Sequence, residues 1–288
     1  MTTAYLNGQY LALSEARISP MDRGFLFGDG IYEVIPSYQG KTVGLNAHLA
    51  RMKRGLAALS IDPDMDDEAW RTVVATLIEK NRSDIPEGNI GLYLHVSRGA
   101  DTRRFHAYPT NVTPTVFAFA FAIAPPQPLR RELAKPLFVA LEEDLRWQRC
   151  HIKSTSLLGN VMHFQQAAAS GLHETILFNR EQEVTEASSS NVFMVKDGVI
   201  YTPPLDNQLL PGITRALVLE ALNAGNFTVR EQVFSVQALL DADEVWLTSS
   251  SKEIAPVGRV GDTIIGDGQP GPVWEAAINA YHRMKFDA

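Results

Sequence analysis

The chain has a single cysteine, Cys150, so no internal disulfide can form, and a reducing compartment such as the cytoplasm is the expected home. No stretch is rich in Lys and Arg, and the formal net charge of the 288 residues is −7. Both facts argue against nucleic acid or an anionic membrane surface as a partner. The longest apolar run, "VFAFAFAIA" at 116–124, is far short of the ~20 residues that a membrane helix needs, and its alternating Phe and Ala suit a buried strand. The start, "MTTAYLNGQYLALSEA", has neither the basic head nor the apolar centre of a signal peptide. G-x-x-x-x-G-K-[ST] does not occur, which removes the usual handle for ATP.

Three further patterns begin and then fail. "DPDMDDE" opens like a calcium loop on Asp62, Asp64 and Asp66, but its sixth position is Asp67 where Gly is needed and its twelfth is Val73 where Glu is needed. "HETIL" starts like a zinc-protease helix and has Leu177 in place of the second His. "SSS" at 188–190 is not framed by a G-x-S-x-G elbow. No metal site is expected. Cys150 reads as a small buried thiol.

The remaining pattern is that of an α+β protein of two domains, 1–123 and 130–288, joined by the stiff linker "APPQPL" at 124–129. In the first part Asn7-Gly8 and Gln39-Gly40 mark hairpins. Asn46 is the expected N-cap of a helix through "AHLARMKRGLAALS", and "DEAWRTVVATLIEKN" is a second helix. "NIGLYLHVSRG" and "TVFAFAFAIA" read as strands. In the second part helices are expected after Lys153, at "ITRALVLEALNAG" and at "PVWEAAINAYHRMK". Strands are expected at "ETILFN", "NVFMVKD", "VIYTPP", "TVREQVF" and "EVWLTSS".

Four pieces are not explained by packing. Lys153 sits at what reads as a strand-to-helix junction, in "HIKSTSLLGN". Glu186 is a lone acid ahead of small hydroxyl residues in "VTEASSSNVF". Gly212 opens a helix in "LLPGITR", where outward backbone N–H groups form an anion site. "LTSSSKE" ends a strand with further hydroxyls. An amine, an acid and a phosphate cradle are what pyridoxal 5'-phosphate requires.

The order "DRGFLFGDGIYEV", "NAHLARM", "DLRWQRCHIKSTSLLGN", "VTEASSSNVF", "LPGITR", "LTSSSKEI" resembles the fold-type IV pyridoxal-phosphate enzymes, in particular their D-amino acid aminotransferase branch, through nearly the whole chain. The resemblance implies the following roles. Lys153 carries the cofactor as a Schiff base and moves the substrate's proton. Glu186 faces the pyridine nitrogen. Arg51, Ile213, Thr214 and Ser250 hold the phosphate, with Ser250 where the family usually has Thr. Ser189 and Ser190 line the cofactor. Tyr32, Arg104 and His106 grip the substrate carboxylate, and a loop one residue longer than usual lets Arg103 compete for the arginine's place. In the resembling enzymes that loop reaches into the neighbouring subunit, which implies a homodimer. The implied reaction moves an amino group from D-alanine or a similar D-amino acid to 2-oxoglutarate. The alternatives within the fold are a branched-chain L-amino acid aminotransferase and a lyase of the aminodeoxychorismate type. A binding module without cofactor would have to discard Lys153 and Glu186 together.

Overall fold

A computed structural model of the chain describes residues 2–85 and 87–286. Its internal contacts divide the chain into two compact units, residues 1–125 with 152–157, and residues 126–151 with 158–288.

The first unit contains β1 (Thr3–Leu6), β2 (Gln9–Ala12), α1 (Arg23–Phe27), β3 (Gly30–Tyr38), β4 (Lys41–Thr42), α2 (Leu45–Leu59), α3 (Asp67–Asn81), β5 (Asn89–Ser97) and β6 (Thr115–Ala122). Its six strands form an antiparallel sheet in the order β2-β1-β6-β5-β3-β4. Both expected hairpins form, and Asn7, Gly8, Gln39 and Gly40 all take positive φ, as two-residue turns of the twist-matching kind require. The period-2 pattern of β6 divides its side chains between two environments. Ala118 and Ala120 face the core with Ile31, Ile35, Leu92 and Leu94, where α2 and α3 bring Leu49, Met52, Val73 and Leu77. Phe117, Phe119 and Phe121 form a row on the other face and continue into Tyr93 and Tyr32, at centroid distances of 5.2–5.8 Å. The small Ala residues let the helices approach the sheet, and the Phe residues build an aromatic floor opposite.

The expected cap at Asn46 is not observed. α2 begins at Leu45 behind Gly44, whose φ of 62° sets the turn into the helix, so Asn46 lies inside the first turn and its side chain accepts from Arg71 instead. α3 has the expected span, with Asp66 as N-cap accepting from the Ala69 N–H at 2.8 Å.

The second unit contains β7 (Leu137–Glu143), α4 (Leu158–Ala169), β8 (Glu174–Phe178), β9 (Val184–Ala187), β10 (Asn191–Lys196), β11 (Val199–Thr202), α5 (Ile213–Ala224), β12 (Val229–Glu231), α6 (Val236–Leu240), β13 (Glu244–Ser249), β14 (Glu253–Val260), β15 (Thr263–Ile264) and α7 (Pro272–Met284). Its mixed sheet runs β12-β11-β10-β13-β14-β7-β8-β9, with β15 on β14. Val139, Ile176, Val192, Val245 and Leu247 centre one core cluster. Elsewhere in the unit Phe193, Trp246, Trp274 and Tyr281 are fully buried. β14 is central although it contains Pro256, which is tolerated beside the bulge between Val257 and Arg259.

The long connection from β5 to β6 leaves the sheet through Gly99. Its φ is +97°, and a Cβ there would lie 2.0 Å from the Thr113 carbonyl oxygen. Replacing Gly99 by Ala is therefore expected to cost about 2–4 kcal/mol, from left-handed strain plus a backbone clash. The check is thermal unfolding of both proteins, and an unchanged melting temperature would contradict this packing.

Candidate active site

Lys153 does not sit directly between a strand and a helix. β7 ends at Glu143, and Lys153 lies in an irregular stretch five residues before α4. Backbone bonds tie that stretch to the start of β3. The Tyr32 N–H donates to the Lys153 carbonyl at 3.1 Å, and the Thr155 N–H donates to Gly30 at 2.9 Å. The Lys153 amine lies 4.1 Å from the centre of the Tyr32 ring, a cation–π position. Tyr93 stacks beside Tyr32, and its hydroxyl is 3.0 Å from Nδ1 of His95. Burial pushes the Tyr93 phenol up to about 12, which keeps it protonated.

Arg51 is buried on α2 and donates through Nε and Nη2 to the two oxygens of Glu33, at 2.8 and 2.7 Å. His48 shares that carboxylate at 2.7 Å. Burial alone would raise Glu33, but the charge and hydrogen bonds of Arg51, with the hydrogen bond to His48, hold it at about 2. Its charge is thus fixed, and with it the plane of the guanidinium.

Arg104 and His106 meet on one side chain. The Arg104 guanidinium is 5.0 Å and the His106 ring 5.4 Å from the centre of the Phe27 ring. Arg103 lies instead over Phe105, at 5.0 Å.

In the second unit Glu186 is buried at the end of β9. One carboxylate oxygen accepts from Nη1 of Arg146 at 2.6 Å and the other from the Leu210 N–H at 3.0 Å. Burial pushes this carboxyl up, opposed by the Arg146 charge and the Leu210 N–H. The register pairs Asn191 with Thr248. Adjacent strand ends therefore carry Ser190, Thr248 and Ser249, whose buried hydroxyls have no hydrogen-bond partner among the described residues. The next element in this neighbourhood is the start of α5, where Ile213 and Thr214 occupy the first turn behind Gly212 and no side chain caps the helix. A Cβ on Gly212 would lie 2.0 Å from the Asn191 side-chain oxygen, so a larger residue there requires Asn191 to move. Unsatisfied buried hydroxyls beside uncapped helix N–H groups fit a phosphate. Ser250 is in the turn just past β13. Ser188 and Ser189 do not share the free state of Ser190, since both donate to the buried Glu174, which Lys252 also meets at 3.2 Å.

Several residues of these arrangements were not evident in the sequence. Arg146, which partners Glu186, lies within "DLRWQRC", and that position was its only signal. Glu33, His48, Tyr93 and His95 look like ordinary strand and helix residues. Cys150 is inert: burial pushes its thiol up to about 12, and it donates to the Trp147 carbonyl.

His48 offers a test of the Glu33 network. Burial lowers its pKa despite the opposing Glu33. The folded protein thus holds the ring neutral where the unfolded chain takes up a proton near pH 6.5. The stability from this group is complete above that pH and is lost as pH falls, by at most about 1.4 kcal/mol per pH unit. The stability difference between the unmodified protein and His48→Gln should therefore shrink from pH 8 to pH 5 in urea unfolding. Parallel curves would show that the ring is not held neutral.

Residues 30–260 match the family model of class IV amino-transferases. The chain is 38% identical over 274 residues to a D-alanine aminotransferase of Staphylococcus haemolyticus, covering 95% of this chain and 94% of that one. It is 38% identical over 267 residues to the D-alanine aminotransferase of Bacillus licheniformis, covering 93% and 91%. In three dimensions it resembles the branched-chain aminotransferase of the archaeon Thermoproteus uzoniensis with norvaline, with a TM-score of 0.84, 21% identity and coverage of 100% of this chain and 96% of that one. A hypothetical aminotransferase of Mycobacterium tuberculosis in its PLP-bound form gives 0.83, 20%, 98% and 98%. Identities this low speak for the fold alone, but the family match and the closer sequence relatives go further: the chain belongs to the class IV aminotransferases.

Proposed function

We propose that this aminotransferase moves the amino group of D-alanine or a similar D-amino acid to 2-oxoglutarate, with pyridoxal 5'-phosphate as cofactor. The observation that carries the D-amino acid reading is the meeting of Arg104 and His106 on Phe27. A planar guanidinium can grip a carboxylate through two parallel bonds, and an imidazole beside it adds a third donor. The relatives that share 38% of their residues with the chain are D-alanine aminotransferases, which supports the same reading.

When bound, the cofactor supplies a carbonyl carbon for amines and a protonated ring that withdraws electrons. In the proposed arrangement the Lys153 amine holds the cofactor and then moves a proton at the substrate's α-carbon. Glu186, oriented by Arg146 and the Leu210 N–H, holds the proton on the ring nitrogen. Arg51, the Ile213 and Thr214 N–H groups, Ser190 and Ser250 bind phosphate, with Ser189 lining the site. Thr248 and Ser249, free and buried, join the phosphate set. Tyr32 works with Arg104 and His106 on the carboxylate and so fixes which face of the α-carbon meets Lys153.

The working form is proposed to be a homodimer in the cytoplasm. The outward face of α4 supports a second copy, since Leu158, Val161 and Met162 are 72%, 56% and 65% exposed, a row of large apolar side chains that water disfavours. The single buried cysteine fits a reducing compartment. Among the described residues no helix is long and apolar enough to cross a membrane.

The test of function is a panel of D- and L-amino acids with 2-oxoglutarate and pyruvate, with products identified. Preference for L-leucine over D-alanine would favour the branched-chain alternative, and pyruvate released without amino transfer the lyase. Two substitutions test the assigned roles. Lys153→Ala should abolish multiple turnover, and borohydride should fix the cofactor on the peptide "HIKSTSLLGN" in the unmodified protein only. Glu186→Gln keeps the shape and removes the charge, so kcat should fall by roughly 10–100-fold with KM little changed. Loss of stability at constant rate per folded molecule would reduce Glu186 to a structural role.

A further inference from the structure

The connection between β5 and β6 carries Arg103, Arg104 and His106, and a loop of this length on the surface would ordinarily find water for its backbone carbonyls. Two consecutive carbonyls here are bound differently. Nη1 of Arg23 donates to the Phe105 carbonyl at 2.5 Å and Nη2 to the His106 carbonyl at 3.2 Å. Arg23 is itself only 3% exposed, so this is a buried cation committed to loop backbone. Its remaining Nε–H goes to Asp29 Oδ2 at 2.7 Å.

Asp29 does not serve Arg23 alone. Nε of Arg98 donates to the same oxygen at 2.8 Å and Nη2 to the other at 3.0 Å. Arg98 is anchored further by the Leu59 and Ser60 carbonyls, at 2.7 and 3.1 Å, and lies 3.5 Å from the centre of the Tyr108 ring. One carboxylate thus aims two guanidiniums, and these hold the loop on either side of residue 107. Burial alone would raise the Asp29 pKa, but the hydrogen bonds and charges of both arginines lower it, so the anchor stays charged.

The same short helix supplies the floor for the loop's side chains. Arg23 and Phe27 are four residues apart on α1 and so share a face. The Arg23 guanidinium lies 4.8 Å from the Phe27 ring centre, and that ring is the one that Arg104 and His106 pack against. Displacing Arg23 would free both the backbone beneath His106 and the platform beneath Arg104.

We propose that Arg23, aimed by Asp29, is a positioning residue that sets affinity for the substrate carboxylate by holding the Phe105–His106 backbone and the Phe27 platform in place. It would do so without touching the substrate. The inference rests on the reading of Arg104 and His106 as the carboxylate grip, and it holds whichever subunit's site the loop serves.

The test uses the holoenzyme and propionate, a carboxylate without an amino group, as competitive inhibitor. Losing a charge-assisted hydrogen bond typically weakens an interaction about 10–100-fold. Arg23→Gln should raise the propionate Ki and the KM for D-alanine by about that factor and leave kcat within about threefold. A lower kcat at unchanged KM and Ki means that Arg23 only supports folding and overturns the proposal. Unchanged KM, Ki and kcat overturn it as well. If Arg23→Gln does not fold, Phe27→Leu removes the platform alone, and an unchanged propionate Ki then overturns it. Arg104→Ala, measured in parallel, separates the two levels. If it leaves the Ki unchanged, the carboxylate reading itself fails. If it raises the Ki while Arg23→Gln does not, the reading stands and the positioning role falls.

Discussion

An ionised carboxylate taken out of water has to bring its partners with it, because burial without them costs more than a domain's stability allows. This chain buries several. Glu33 holds His48 and Arg51, and Asp29 holds Arg23 and Arg98. Glu186 holds Arg146, and Glu174 holds Ser188, Ser189 and Lys252. Glu253 holds His282 at 3.0 Å and Lys285 at 2.6 Å and accepts from the Gln127 N–H. In each case the acid lies on or beside a strand, and most of its partners come from distant segments. The local positions of Arg51 and Glu186 follow from these contacts. Arg51 is aimed because Glu33 takes two of its nitrogens. Glu186 is aimed because Arg146 and a backbone N–H each take one of its oxygens. Freedom of rotation, the usual cost of a charged side chain in a site, is removed before any substrate arrives.

The same arithmetic explains what is left open. In the second unit the Glu174 cluster satisfies Ser188 and Ser189, while Ser190, Thr248 and Ser249 remain without partners among the described residues. Buried hydroxyls are rarely left so unless something else satisfies them. They lie where β10 and β13 end, next to the uncapped start of α5, and Asn191 closes the gap by donating to the Leu210 carbonyl and pressing on Gly212. An anion with several oxygens would complete these donors together. Within a run of three serines, Ser190 is thus left free for the proposed phosphate while Ser188 and Ser189 are held by Glu174.

Local signals were legible in the sequence and long-range ones were not. The hairpin at Asn7-Gly8 and the helix from Asp67 to Asn81 rest on neighbours in the chain, and both form as expected. Asn46 looked like a cap by composition, but Gly44 takes the left-handed turn two residues earlier and the helix starts there. β14 carries Pro256 and Gly258, residues that normally argue against a central strand, and only its bulged pairing with β7 makes it one. Lys153 and Glu186 stood out because each is a charged group in a small-residue setting. Their partners Tyr32 and Arg146 lie 121 and 40 positions away (153 − 32 and 186 − 146), and nothing local announces such a pairing. His48 and Glu33 are 15 apart and equally silent.

The choice between Arg103 and Arg104 shows how little geometry is needed once the backbone is known. Spacing to His106 in the sequence allowed either residue, because a loop of unusual length can shift its register by one. In extended chain, side chains two apart point the same way and neighbours point apart. The observed contacts follow that alternation: Arg104 and His106 lie on Phe27, and Arg103 lies on Phe105. The period-2 rule could have been applied to the string "RRFH" without coordinates, had there been reason to take the segment as extended. The two carbonyl bonds from Arg23 hold residues 105 and 106, and Arg23 packs on the same Phe27 ring. A buried arginine some eighty positions earlier in the chain thus lies under the segment in which one of two adjacent arginines shares Phe27 with the histidine.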